Sequence, residues 1–195
     1  MKKKLLIAGD SFAADWTVKH EGQGWVNMLS EKYDVTNVAQ AGVSEYKIIK
    51  QIQSVSLSQY DYIIISHTSP FRIPVKEHPI HSNDTLHSNC DLIYSDLKEN
   101  ENNELAKLGV DFFEKLYDTD YALFVHDLML KYIDSKYKNR QIINTTFFEH
   151  GNLYKPRNFI NFHKIFKENR GDMNHLNEKG NQIVFDMIKK VLLNR

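Results

Sequence analysis

Apolar and polar positions follow one another in blocks along this chain, and the blocks predict alternating strands and helices. Leu5-Leu6-Ile7-Ala8 is a short continuous apolar run ended by Gly9-Asp10-Ser11, the pattern of a strand buried on both faces of a parallel sheet. From about Gly24 to Lys32 the spacing turns helical, with Trp25, Met28 and Leu29 on one face. Asp34 to Val38 reads as a second strand, and Glu45 to Val55 as a second helix with Ile48, Ile49, Ile52 and Val55 inward. Tyr60 to Ile65 holds the clearest buried strand, ending at the polar Ser66-His67-Thr68-Ser69. Two helical patterns follow, at about Glu104 to Tyr117 and Thr119 to Tyr137, then a short strand Gln141 to Asn144 and a last helix Glu178 to Leu193. Between them lie a loop-rich excursion at about 70–103, rich in Pro, His, Ser and Asn, and a second loop-rich stretch from Thr145 to Gly171. Strands alternating with helices over this length predict a mostly parallel sheet covered on both faces.

Composition narrows the picture. A chain of 195 residues fits one domain and buries a real core without metal or disulfide staples. The 25 basic and 25 acidic side chains balance, so no overall basic field gathers nucleic acid or an anionic membrane surface. A small, weakly charged substrate is the expected partner, and the sequence carries no signal for oligomeric state. Cys90 is the only cysteine, which rules out an intramolecular disulfide and points to a reducing, cytoplasmic setting. The Lys2-Lys3-Lys4 start imitates a signal peptide, but the apolar run after it stops at Gly9-Asp10, well short of a secretory core. No stretch approaches the roughly 18 apolar residues needed to cross a bilayer.

In a parallel sheet, ligands bind beyond the carboxyl ends of the strands, where loops converge while the core stays packed. Gly9-Asp10-Ser11, Ala41-Gly42-Val43 and His67-Thr68-Ser69 fall at or just after such ends. A fourth cluster, Asp172-Met173-Asn174-His175, precedes the last helix, where Asn177 is a natural N-cap that orients the loop before it. A serine hydroxyl needs an imidazole to take its proton and a carboxylate to orient that imidazole. Ser11, His175 and Asp172 supply this set. The N–H of Ser11 and that of Gly42, whose missing Cβ permits a close backbone approach, are the expected oxyanion donors.

The order and context of these motifs resemble the SGNH hydrolases, the GDSL-like esterase and lipase superfamily, over most of the chain in outline. Gly9-Asp10-Ser11-Phe12 is similar to the family's first block, and Gly42 within Asn37-Val38-Ala39-Gln40-Ala41-Gly42 to its second. Asp172-Met173-Asn174-His175-Leu176-Asn177, followed by Gly180, resembles the last block, which completes the triad. The third block departs. Where the family commonly has Gly-x-Asn-Asp, this chain has Ser66-His67-Thr68-Ser69. Thr68 stands in the asparagine's place, and its hydroxyl, the Ser69 hydroxyl or Arg72 is left to replace the amide donor, whose loss costs on the order of 3 kcal/mol. The Gly-x-Ser-x-Gly elbow of the other large α/β esterase group is absent.

Other residues have plainer readings. His78, His81, His87 and Cys90 stand at His-x-x-His and His-x-x-Cys spacings, yet the connecting segment is shorter than in common zinc modules, so a solvated His-rich loop with no metal is expected. Arg72 is either a surface charge or a clamp for a substrate carboxylate or phosphate, and both readings stay open. Asp10 joins the expected substrate-binding set through its place beside Ser11, and Trp16 and Trp25 read as packing residues. Together with the resemblance, these signals imply a three-layer α/β/α sandwich with a mostly parallel, flavodoxin-like sheet. The implied activity is hydrolysis of a short acyl ester, acetyl-type, on a carbohydrate or related metabolite, without a cofactor. The alternatives are an acyltransferase using the same serine, and a non-catalytic binder of a glycan or anion.

Overall fold

The computed structural model describes residues 2–18, 24–81, 86–171 and 175–194. Five strands, β1 (Lys4–Gly9), β2 (Asp34–Asn37), β3 (Tyr62–His67), β4 (Ile142–Thr146) and β5 (Phe159–Asn161), form one all-parallel sheet in the order β2-β1-β3-β4-β5. This is the flavodoxin-like, doubly wound order. The apolar runs read in the sequence are its centre. All six residues of β3 are buried, and Ile63, Ile64 and Ile65 are at most 1% exposed. Burying each such isoleucine contributes roughly 1.5–3 kcal/mol.

Alternation along the strands sends side chains to two cores. On one face Leu5, Ile7, Ile64 and Ile143 pack with Trp25, Val26 and Leu29 of α1 (Trp25–Leu29) and with Val184, Phe185 and Ile188 of a long C-terminal helix (Glu178–Leu193). On the other, Leu6, Ala8, Ile63, Ile65 and Ile142 pack with Ile48, Ile49 and Ile52 of α2 (Glu45–Gln53) and with Ile133, which lies on a helix over Thr119–Lys136. The molecule is therefore a three-layer α/β/α sandwich. Among the described residues no helix is long and apolar enough to cross a membrane.

Two stretches read as loops contain more order than their composition suggests. The 70–103 excursion holds α3 (Tyr94–Lys98), which packs through Leu97 on Ala106 and Val110 of α4 (Glu104–Lys115), with Ile80 and Leu92 beside them. Gly109 makes this possible, since a Cβ there would lie 2.7 Å from Leu97 Cδ1. A two-residue antiparallel bridge, Ile73 with Leu92, closes the base of the excursion. After α5 (Thr119–Lys136) and β4, the second stretch contains edge strand β5 and α6 (His163–Glu168), before α7 (Glu178–Leu193) completes the fold. β3 runs two residues past the apolar run, so Ser66 and His67 are strand residues with ladder partners Gly9, Thr145 and Thr146.

Candidate active site

The sheet order reverses between β1 and β3, and a cleft of about 1140 Å³ opens beyond their carboxyl ends. Ligand sites of doubly wound sheets sit at this switch point. Ser11, Gly42, Ser69, Arg72, His87 and His175 line the cleft, with aromatic walls from Phe71, Tyr94, Phe113, Phe148 and Phe166.

The turn carrying Ser11 is held from every side. Gly9 lets β1 close on β3, since a Cβ there would lie 2.6 Å from Ser66 Cβ, and Gln51 of α2 bonds both the N–H and the carbonyl of Gly9, at 2.8 and 3.1 Å. The Trp16 indole donates to the Ser11 carbonyl at 2.6 Å, and the Trp25 indole to the Phe12 carbonyl at 2.7 Å. Phe12 stacks on Phe147 with ring centroids 4.4 Å apart and meets Phe148 and Phe166 edge-on. The two tryptophans thus pin the turn as well as pack. Ser11 itself is 9% exposed, on the cleft wall.

Gly42 has φ +74°, a left-handed conformation natural to glycine. Its missing Cβ makes room for Cys90, whose Sγ would lie 2.2 Å from that atom, so the local reason for glycine is the chain behind it. Asp91 N–H donates to the Gly42 carbonyl at 3.0 Å and holds the peptide in place. Among the described residues, the N–H groups of Ser11 and Gly42 have no hydrogen-bond acceptor, which leaves two backbone donors in residues lining one cleft.

The residues expected to replace the missing amide donor divide. Thr68 is 2% exposed and its Oγ1 is buried without a partner among the described residues, so it does not line the cleft, whereas Ser69 does. Arg72 is no surface charge. Its side chain is 8% exposed, with Nη1 donating to the Val43 carbonyl at 2.7 Å and Nη2 at 3.8 Å from Asp10 Oδ2. Asp10 lies fully buried beneath Ser11, accepting the Ser66 hydroxyl at 3.0 Å and the Phe12 N–H at 3.2 Å on Oδ1. Burial pushes its carboxyl up to about 6, against the opposing pull of Arg72 and of the Ser66 bond.

His175 reaches the cleft from the loop before α7, its ring 4.5 Å from Trp16 and 5.1 Å from Phe12 between centroids. Gly171 N–H donates to the His175 carbonyl at 2.7 Å, and Arg170 and Leu176 form an antiparallel bridge, so the residues on the two sides are tied together. Asn177 caps α7 as expected, its side chain accepting the Gly180 N–H at 2.9 Å. The Ser11 hydroxyl and the His175 ring share the cleft without a direct hydrogen bond between them. Such bonds are often long before substrate binds. Asp172, the expected third member, lies outside the described residues.

Beneath the strand tips is a polar network that sequence reasoning missed. His67, 1% exposed, sits between Glu45 Oε1 at 2.8 Å and Asn144 Oδ1 at 2.9 Å. Burial works against its charged form, yet Glu45 beside it raises its pKa on balance; the same burial opposes charge on Glu45, and His67 holds that carboxyl below its ordinary range. His126, on α5, is buried and pushed down to about 4 by desolvation, hence neutral. The available signal was a helix opening with Glu45 toward a strand ending in a histidine.

The His-rich excursion is not solvated as expected. His78 and Cys90 are buried, and His78, His81, Cys90 and Asp96 each offer a donor atom within 4.8 Å of the others. His87, grouped with them by spacing, stacks on His81 and faces the cleft instead. Burial pushes the Cys90 thiol up to about 12, so it is no nucleophile at neutral pH. Fold and cleft together define a doubly wound α/β protein with a polar, aromatic-walled site at its switch point. No protein-family model matches the chain. Comparison with curated proteins gives no match either.

Proposed function

We propose that the protein is a serine hydrolase of the SGNH type, acting on a short acyl ester of a carbohydrate or related metabolite. The observation that carries this reading is the convergence of Ser11, Gly42 and His175 on one cleft, with two backbone N–H groups that have no acceptor among the described residues. Ser11 Oγ attacks the acyl carbon while His175 accepts its proton, and the oxyanion forms against the N–H groups of Ser11 and Gly42. His175 then protonates the departing alcohol, leaving an acyl-serine. Water deprotonated by His175 attacks the acyl carbon, and the proton returns to Ser11 as the acid leaves. Asp172 is assigned the orienting carboxylate by the sequence resemblance. With Thr68 buried away from the cleft, Ser69 or Arg72, both of which line it, is assigned the third oxyanion donor in this reading. Transfer of the acyl group to a sugar hydroxyl uses the same steps with a different acceptor.

A second reading, a non-catalytic binder of an anionic glycan or phosphate, draws on the buried guanidinium of Arg72 at the cleft wall. Turnover of a p-nitrophenyl acyl series separates the two. The hydrolase reading expects turnover that falls at least about 10³-fold in both Ser11→Ala and His175→Ala. An inactive parent whose glycan or phosphate binding survives Ser11→Ala overturns it in favour of the binder.

A further inference from the structure

A second cluster of reactive side chains lies in the excursion that walls the cleft. His78, His81, Cys90 and Asp96 each present one donor atom, all within 4.8 Å of one another. His78 is 4% exposed and Cys90 2%, and both belong to the excursion whose base the Ile73–Leu92 bridge closes. His78 Nε2 is buried with no hydrogen-bond partner among the described residues. Because Nδ1 accepts the Ile80 and His81 N–H groups, Nε2 carries the proton, and leaving it buried and unmatched is costly; only after losing that proton can it meet a metal. The His81 ring stacks on His78 with centroids 4.8 Å apart, and its Nε2 lies 3.5 Å from Asp96 Oδ2.

We propose that His78, His81, Cys90 and Asp96 bind one zinc ion as a structural site. Two imidazoles, a thiolate and a carboxylate suit a borderline-soft, tetrahedral cation, whereas calcium and magnesium take oxygen ligands. Zinc bond lengths of about 2.0–2.3 Å put neighbouring donors about 3.5 Å apart, so the observed spread closes with side-chain shifts of about 1 Å. Four protein ligands leave no open position, which makes the role structural. Binding sends the Cys90 thiol proton to solvent. The His78 proton moves from Nε2 to Nδ1, which gives up two long bonds from the Ile80 and His81 N–H groups, at 3.2 and 3.3 Å, in exchange for a metal bond.

The consequence reaches the cleft. Cys90 fills the space where a Gly42 Cβ would stand, and Asp91 N–H holds the Gly42 carbonyl. Zinc on Cys90 therefore anchors the segment that fixes the Gly42 peptide, independently of what reaction the cleft performs.

The test is metal analysis of the full chain after incubation with zinc(II) and removal of the excess, alongside Cys90→Ser, His78→Gln and His87→Gln. The expected result is about one zinc per chain in the parent and in His87→Gln, with affinity lower by at least about tenfold in the other two. Cobalt(II) in place of zinc should give a thiolate charge-transfer band that Cys90→Ser lacks, which also identifies the ligand if that variant is unstable. No stoichiometric zinc in the parent, or zinc retained with unchanged affinity in both Cys90→Ser and His78→Gln, overturns the proposal.

Discussion

At the scale of single residues, the buried carboxyl next to Ser11 sets a measurable pH dependence. The Asp10 carboxyl is lifted by burial from an ordinary 3.8 to about 6. The folded state then holds this proton more tightly than the unfolded chain, so the Asp10 contribution to stability is highest below about pH 4 and falls as pH rises to about 6. The free energy at stake across that window is about 3 kcal/mol. Denaturant titrations of the parent and Asp10→Asn across pH 4–6 should show the difference between them narrowing or reversing by that order; a difference independent of pH would remove the basis for a raised Asp10. Gly42→Ala places a methyl 2.2 Å from Cys90 Sγ on a backbone at φ +74°, and should cost about 1–3 kcal/mol. Adding Cys90→Ala should return part of that loss by relieving the clash while the φ strain remains, and no recovery at all would mean that Cys90 is not what glycine accommodates. Ser11, Gly42 and His175 were legible because each follows a strand or precedes a helix that the apolar pattern marks. Asp10 with Arg72, and Glu45 with His67, were not, because each pair joins distant segments whose meeting only the folded sheet specifies.

Among the elements, those marked by an apolar run or a helical period were readable, down to the short α1, β2 and β4, whereas α3, β5 and α6 were not. β1, β3 and α7 follow continuous apolar runs or a sustained 3.6-residue repeat, and the α7 boundaries coincide with the sequence reading. β5 has three residues and α3 five, too few for periodicity to stand out from a loop composition. The α7 N-terminus ties the fold to the candidate site, since Asn177 caps the helix two positions after His175 and its own N–H donates to the Asn169 carbonyl at 2.9 Å. Asn177→Ala should lower stability by about 1 kcal/mol and, if the proposed hydrolase activity holds, lower kcat through a less firmly held His175. Asn177→Asp, which retains a capping acceptor, should restore both; a kcat loss that Asp does not rescue would place Asn177 in a different role.

Across the whole molecule, the Glu45–His67–Asn144 network links helix α2 to strands β3 and β4 through the buried layer. Removing one partner of a buried pair leaves the other uncompensated, so Glu45→Ala should destabilise by about 3–5 kcal/mol, read from denaturant midpoints. The pair also bounds the stable pH range. His67, raised above its ordinary 6.5, contributes stability that is present below that value and lost as pH rises through its raised one. Glu45, held below 4.5, contributes stability present above that value and lost as pH falls through its lowered one. The scaffold so braced holds Ser11 and His175 in one cleft, and the central claim is that Ser11 is a nucleophile there. Its most direct test is labelling of the purified protein with a fluorophosphonate, followed by peptide mass spectrometry. A single adduct on Ser11, absent in Ser11→Ala and strongly slowed in His175→Ala, is the predicted result; a folded protein left unlabelled, or labelled elsewhere with Ser11 untouched, would contradict it.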